Sequence, residues 1–193
     1  MTHHIDYLLD QVNQTIMRPS AESIRVGVMD ACRDCIRMIG ISLVCKKETE
    51  NIEIVDGKYR FPDKFMGFIG FKPPKKRPDF QFRAQEMPHG VSTGDMRYEF
   101  HRTAFELIFP NLKTGTGELS YYSLYTDQDD EIMISDEIFN ALKTWCEWKL
   151  LVNSNNVRHP RWSDRQSMRQ EAYTAVQEAR GNINESHRLS SLR

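Results

Sequence analysis

The stretch Leu119 to Val152 constrains what this chain can fold into more than any other. Leu119-Ser120-Tyr121-Tyr122-Ser123-Leu124-Tyr125 alternates as a strand does, and Thr126-Asp127-Gln128-Asp129-Asp130-Glu131 forms an acidic corner. Ile132-Met133-Ile134-Ser135 follows as a short apolar clip. Apolar residues then recur at helical spacing as far as Val152, with Trp145 and Trp148 among them. A strand and a helix joined this closely require a mixed fold class. The same stretch is rich in carboxylates and aromatic rings but fits no catalytic motif, which points to a part that binds other parts.

At 193 residues the chain is long enough for one domain with a core of useful size. Its net charge of −1 means that the average field steers neither nucleic acid nor an acidic partner strongly. The charges are nevertheless grouped. Lys72 to Arg83 holds five basic residues against one acid, and Asp127 to Glu137 holds six acids and no base. From Arg158 onward seven arginines stand against four acids. Patches of opposite sign suit head-to-tail self-association, and solvated loops are the plainer alternative. No run of eighteen or more apolar residues offers a transmembrane helix, and Met1-Thr2-His3-His4-Ile5-Asp6 lacks the basic-then-apolar order of a signal peptide. Four cysteines in that setting are expected to be reduced thiols in a cytosol-like compartment.

The periodicity predicts helices over Ile5–Met17 and from Ser20, as N-cap, to a stop at Gly40. The face holding Gly27, Ala31, Cys32 and Cys35 is small enough for close packing. Ile41–Cys45 reads as a strand, Ile52–Phe61 as a hairpin about Asp56-Gly57, and Phe65–Phe71 as a strand. Pro73-Pro74-Lys75-Lys76-Arg77-Pro78 reads as an exposed loop, Phe80–Arg83 as an edge strand and Gln85–Asp95 as a loop. Met96–Phe109 reads as one long strand paired with Glu118–Tyr125 through a turn at Lys113–Gly117. Ser135 is placed to cap the tryptophan helix, whose stripe is Ile138, Leu142, Trp145, Cys146 and Val152. A last helix, about 161–179, carries a thin stripe of Met168, Ala172, Ala175, Val176 and Ala179 and is expected to stop at Gly181. The class is α+β, with N- and C-terminal helices forming a bundle around a β-rich middle insertion, about 41–125. Residues 1–181 read as one domain and 182–193 as a flexible tail.

Each candidate motif fails on spacing. Cys32-Arg33-Asp34-Cys35 falls in mid-helix, away from the helix start that a redox pair uses, and Cys45 and Cys146 supply no second pair for zinc. These cysteines read as small buried side chains. Counted from Asp127, the sixth and twelfth positions of a calcium loop would hold Ile132 and Ile138 instead of glycine and glutamate. Lys113–Gly117 leads into a strand and lacks the phosphate-loop order. Pro78-Asp79 with Glu147-Trp148-Lys149 imitates a nuclease set, but Glu147 and Lys149 would lie about 200° apart around a helix. His89, His101 and His159 are scattered. Lys72–Arg83, with Phe71, Phe80 and Phe82, could dock a protein, bind single-stranded nucleic acid or be a solvated loop. No catalytic residue, metal site or cofactor is expected.

Three features carry a resemblance: the N-terminal helix pair ending near Gly40, the sequence Tyr59-Arg60-Phe61-Pro62-Asp63, and Leu124 to Ser135 ahead of an aromatic-rich helix and a polar last helix. Together they make residues 20 to 181 resemble the head-to-tail connector (adaptor or ring) proteins of tailed bacteriophages, particularly short-tailed ones of the crAss-like group. Where that family has Gly-x-Pro in the acidic corner, this chain has Glu131-Ile132-Met133-Ile134. The resemblance implies a non-enzymatic virion protein, assembled in the host cytoplasm as a homo-oligomeric ring, commonly twelve-fold, beneath the portal. It implies contacts with portal protein and neighbouring tail or ring proteins, passage of genomic DNA through a channel, and no membrane partner. Expected interaction residues are Lys72, Lys75, Lys76 and Arg77, then Asp127, Asp129 and Asp130, then Arg161, Arg165 and Arg169. A nucleic-acid-binding or DNA-packaging accessory role is the alternative, and a metal-dependent hydrolase stands third.

Overall fold

The structure, a computed structural model, describes residues 2–16, 21–77, 80–81, 84–87, 98–103, 105–128, 131–155 and 157–190. At 21–23, 75–77, 80–81, 84, 187 and 189–190 it describes the backbone alone. The chain divides into two compact units, Met1–Lys46 with Leu124–Arg193, and Lys47–Ser123.

The first unit begins with strand β1 (Thr2–His4), which runs straight into helix α1 (Ile5–Ile16). Helix α2 (Ala21–Ile39) ends at Gly40, whose φ of 128° is open only to glycine without strain. That reversal turns Ile41–Val44 into a single helical turn, α3, closed by Cys45 N–H donating to Ile41 O at 3.0 Å. The strand expected at Ile41–Cys45 therefore does not form.

The second unit holds β2 (Lys46–Ile54), β3 (Lys58–Arg60), β4 (Phe65–Lys72), β5 (Lys75–Arg77), β6 (Phe80–Gln81), β7 (Ala84–Glu86), β8 (Tyr98–Arg102), β9 (Glu106–Ile108) and β10 (Gly115–Ser123). Their sheets are ordered β2-β10-β4, β3-β9-β8-β7 and β5-β6. Ile54, Phe71, Phe100, Leu107, Phe109 and Leu119 are among the residues that close its core, with Phe61 stacked on Phe65 at 3.8 Å between centroids. Towards the start of β2 the inward positions become polar. Tyr121 donates to Glu48 at 2.9 Å, Tyr59 donates to Glu50 at 2.5 Å, and Lys64 pairs with Glu48 at 3.1 Å.

Four expectations for strands and loops are corrected here. Met96–Phe109 is not one strand, because Thr103 folds it back: its Oγ1 accepts the Phe105 and Glu106 N–H groups at 3.2 and 3.0 Å, and β8 then pairs with β9. β10 pairs with β4 instead, Leu119 opposite Phe71. Gly117 permits this, since a Cβ there would come within 2.3 Å of the Phe71 ring. The Pro73–Pro78 segment is not all loop, as Lys75–Arg77 pairs with Phe80–Gln81, and Ala84–Glu86 likewise joins β8 as a parallel strand.

The chain returns to the first unit as β11 (Tyr125–Thr126), β12 (Ile132–Ser135), α4 (Asp136–Asn153), a 3-10 turn (Trp162–Asp164) and α5 (Arg165–Ser190). β12 sits between β1 and β11, antiparallel to both, with Thr2 opposite Ser135 and Thr126 opposite Ile132. Ser135 is thus the last residue of a strand, and its side chain makes no cap hydrogen bond. α4 buries Ile138, Leu142, Trp145, Cys146, Leu150 and Leu151, whereas Val152 is exposed. α2 and α4 approach closely at small residues: the Cys32 and Cys146 sulfurs are 3.7 Å apart. α5 runs through Gly181, where a side chain would meet open space, because Ile183 beyond it is buried. Burying one more apolar side chain outweighs the roughly 1 kcal/mol that glycine costs a helix.

The class is α+β, but the expected arrangement, a terminal helical bundle around a β-rich middle, is overturned. The helices pack with a three-stranded sheet of their own, built from residues 2–4, 125–126 and 132–135. The β-rich segment instead closes its own core. The physical reason is local. The Ile132–Ser135 clip has inward-facing apolar residues at alternate positions and needs strand neighbours for its backbone groups.

Candidate functional site

α4 and α5 pair antiparallel. Trp145 meets Tyr173 with ring centroids 5.1 Å apart, while Ile138, one end of α4, lines the same small cavity as Ile183, near the far end of α5. Apolar spacing on both helices explains the pairing: Met168, Ala172, Ala175, Val176, Ala179 and Ile183 are buried, and the small alanines let the backbones approach.

Along one edge of this pair the aromatic rings and cations alternate. Trp145 and Trp148 meet edge-on at 5.2 Å, and Trp148 lies 5.8 Å from Tyr173. The Lys149 ammonium sits 5.5 and 5.3 Å from the two indole rings and pairs with Asp34 at 3.3 Å. The Arg169 guanidinium lies 6.0 Å from Trp148 and 5.6 Å from Tyr173. Arg169 is exposed and has no carboxylate partner among the described residues. A groove of about 400 Å³ opens here between Gln166, Arg169, Gln170 and Tyr173. A guanidinium held over a ring keeps its in-plane N–H groups directed outward, ready for a bidentate carboxylate.

The acidic corner lies at the other end of the pair. Asp127 accepts the Glu131 N–H at 2.9 Å, which closes the turn between β11 and β12, and stands 4.0 Å from His4. Asp136 pairs with His3 at 2.9 Å, and the His3, Tyr7 and Phe139 rings cluster with centroids 4.6 to 5.5 Å apart. Glu131 and Glu137 are exposed with no ion-pair partner among the described residues. Tyr125 projects beside them, 56 % exposed. Ile183 and Glu137 line one cavity, so the corner sits beside the C-terminal half of α5, about 21 Å along the helix axis from Arg169. A group of carboxylates therefore lies at one end of the helix pair, and the ring-held Arg169 and Lys149 lie at the other.

The structure brings together only some of the residues singled out from sequence. Arg161 pairs with Asp164 at 3.8 Å, Arg165 stacks on Trp162 and donates to its carbonyl, and Arg169 joins the aromatic edge. Lys72 is held by Glu118 at 3.1 Å in the second unit. Lys75, Lys76 and Arg77 lie on β5, where the backbone alone is described, and Asp129 and Asp130 fall outside the described residues, as do Pro78, Asp79 and His89. Tyr173 was missed from sequence, although its position four residues after Arg169 places the two on one helix face. Glu147, weighed as part of a nuclease set, is buried and accepts a hydrogen bond from Thr15 at 2.8 Å.

All four cysteines are buried, and none is in a disulfide. Burial pushes the Cys45 thiol up to about 12, and pushes Cys35 and Cys146 well above the ordinary thiol range with added repulsion from their neighbours. Such thiols are poor nucleophiles. No group of three metal-ligating side chains converges among the described residues. No protein family and no curated protein matches the chain.

Proposed function

We propose that this protein is a structural, ring-forming connector of a short-tailed bacteriophage virion, seated at the portal–tail junction. There it would guide genomic DNA and dock tail components. The observation that carries this reading is the charge separation on the α4–α5 pair: a cationic aromatic edge at one end and an acidic corner at the other. At about 21 Å the two ends lie beyond the Debye length of roughly 8 Å at physiological salt, so they do not neutralise one another within a protomer. Unlike ends on one body favour a heterologous contact, which closes into a ring when the rotation permits. Lys72 is occupied by Glu118, which takes one cation from the nucleic-acid alternative. Mass photometry and negative-stain images of the purified chain, alone and mixed with a portal ring, test the proposal. Closed rings are expected. A chain that stays monomeric at all concentrations in both settings overturns it.

A further inference from the structure

We infer that the groove beside Trp148, Arg169 and Tyr173 is the socket for the β11–β12 hairpin of a second copy of this chain. This deepens the connector reading and rests on its self-association. The socket is built. The Arg169 guanidinium lies against two adjoining rings and has no carboxylate partner among the described residues, and Gln166 and Gln170 stand beside it as neutral donors and acceptors. The occupant is chosen by charge and shape. The hairpin presents the ring of Tyr125, 56 % exposed although the Lys46 ammonium lies 5.9 Å from its centroid, with Asp127 at its turn and Glu131, which has no ion-pair partner among the described residues. A carboxylate reaching Arg169 completes a bidentate pair against a stacked guanidinium, and Tyr125 supplies apolar area to the groove. Interfaces concentrate their affinity in such Arg, Trp and Tyr anchors. A protomer cannot fill its own socket, because its hairpin lies about 21 Å away along α5. Each copy thus offers one hairpin and one socket on different surfaces.

Two measurements test this. In the first, Arg169→Glu and Glu131→Arg are each expected to weaken self-association by about 30-fold, the loss of one hot-spot contact, and the double variant to restore it. Both positions are exposed, so the thermal midpoint of each variant should match the parent. The second places one exposed cysteine on each side, Gln128→Cys and Gln170→Cys. The native thiols are buried and do not compete. Under mild oxidation a mixture of the two single variants should give a heterodimer, each alone should give none, and the double variant should give a ladder. Rings that form without these crosslinks and ignore the charge exchange would overturn the socket while leaving the connector reading intact. The absence of any self-association would overturn both. Single-stranded DNA binding that is lost in Arg169→Glu, without crosslinking, would reassign the groove to nucleic acid and overturn the hairpin as its occupant.

Discussion

Gly27 of α2 lies so close to Leu150 of α4 that a Cβ on the glycine would stand 2.6 Å from the leucine Cδ2. The same seam places Cys32 against Cys146 and lets the Cys146 sulfur approach the Val28 carbonyl at 3.7 Å. Small residues along one helix face thereby set the distance between the two helices that build most of the first core.

Replacing Gly27 by alanine gains roughly 1 kcal/mol of helix propensity but overpacks a seam where such insertions cost about 1–3 kcal/mol. The expected net effect is destabilisation, seen as a lower urea midpoint. In a Leu150→Ala background, which itself costs about 2–5 kcal/mol, the same change should be neutral or stabilising, because the colliding methyl is gone.

Glu147 is buried, and Thr15 donates to it at 2.8 Å. Thr15→Val should lower stability by about 1–3 kcal/mol, since a buried carboxylate loses a donor that water does not fully replace. Thr15→Ser keeps the donor and should lose far less. A larger loss in Thr15→Ser than in Thr15→Val would show that packing of the methyl, and not the hydrogen bond, matters at this position.

Ile183 is buried beyond Gly181, so the end of α5 is part of the first unit. Ile183→Ala should cost about 2–5 kcal/mol, and truncation after Ala179 should lower the thermal midpoint of the chain. A deletion confined to residues 191–193 spares Ile183 and should leave stability unchanged by circular dichroism.

Stability should fall under alkaline conditions. Burial raises the Cys45 thiol to about 12 and raises Cys35 and Cys146 well above the ordinary thiol range, and burial with nearby Glu50 and Glu48 raises Tyr59 and Tyr121. For each group the folded state keeps its proton at a pH where the unfolded chain has lost it. The associated stability is complete below the unfolded values, near 9 for thiols and 10 for phenols, and declines as pH rises beyond them. Urea midpoints should drop steadily from pH 9 to pH 11. A flat profile over that range would mean that these groups ionise in the folded protein.

Helices and their buried stripes were largely legible in the sequence because the 3.6-residue period is a local property: of Ile5, Leu8, Leu9, Val12 and Ile16 on the stripe of the first helix, all but the half-buried Leu9 are buried. The buried cysteines were legible too, as small apolar side chains, Cys32, Cys35 and Cys146 of them within helices. Strand partners were not. The turn at Thr103 depends on one hydroxyl accepting two N–H groups, and the β10–β4 pairing depends on Gly117 making room for Phe71. Neither leaves a periodic trace. The candidate site was half legible: Arg161, Arg165 and Arg169 showed as charge, while the ring that carries Arg169 showed only as an i, i+4 spacing.

By itself, then, the sequence determined the composition of each face: the apolar stripe of α4, the acids of the corner and the arginines of α5. Tertiary structure alone decided that Trp148 would meet Tyr173, that Ile134 would lie in a strand between β1 and β11, and that unlike charges would end up at opposite ends of one helix pair. Side-chain period is a short-range consequence of backbone geometry. Pairing between distant segments is chosen by which surfaces bury the most apolar area with every backbone group satisfied, and that comparison exists only in three dimensions.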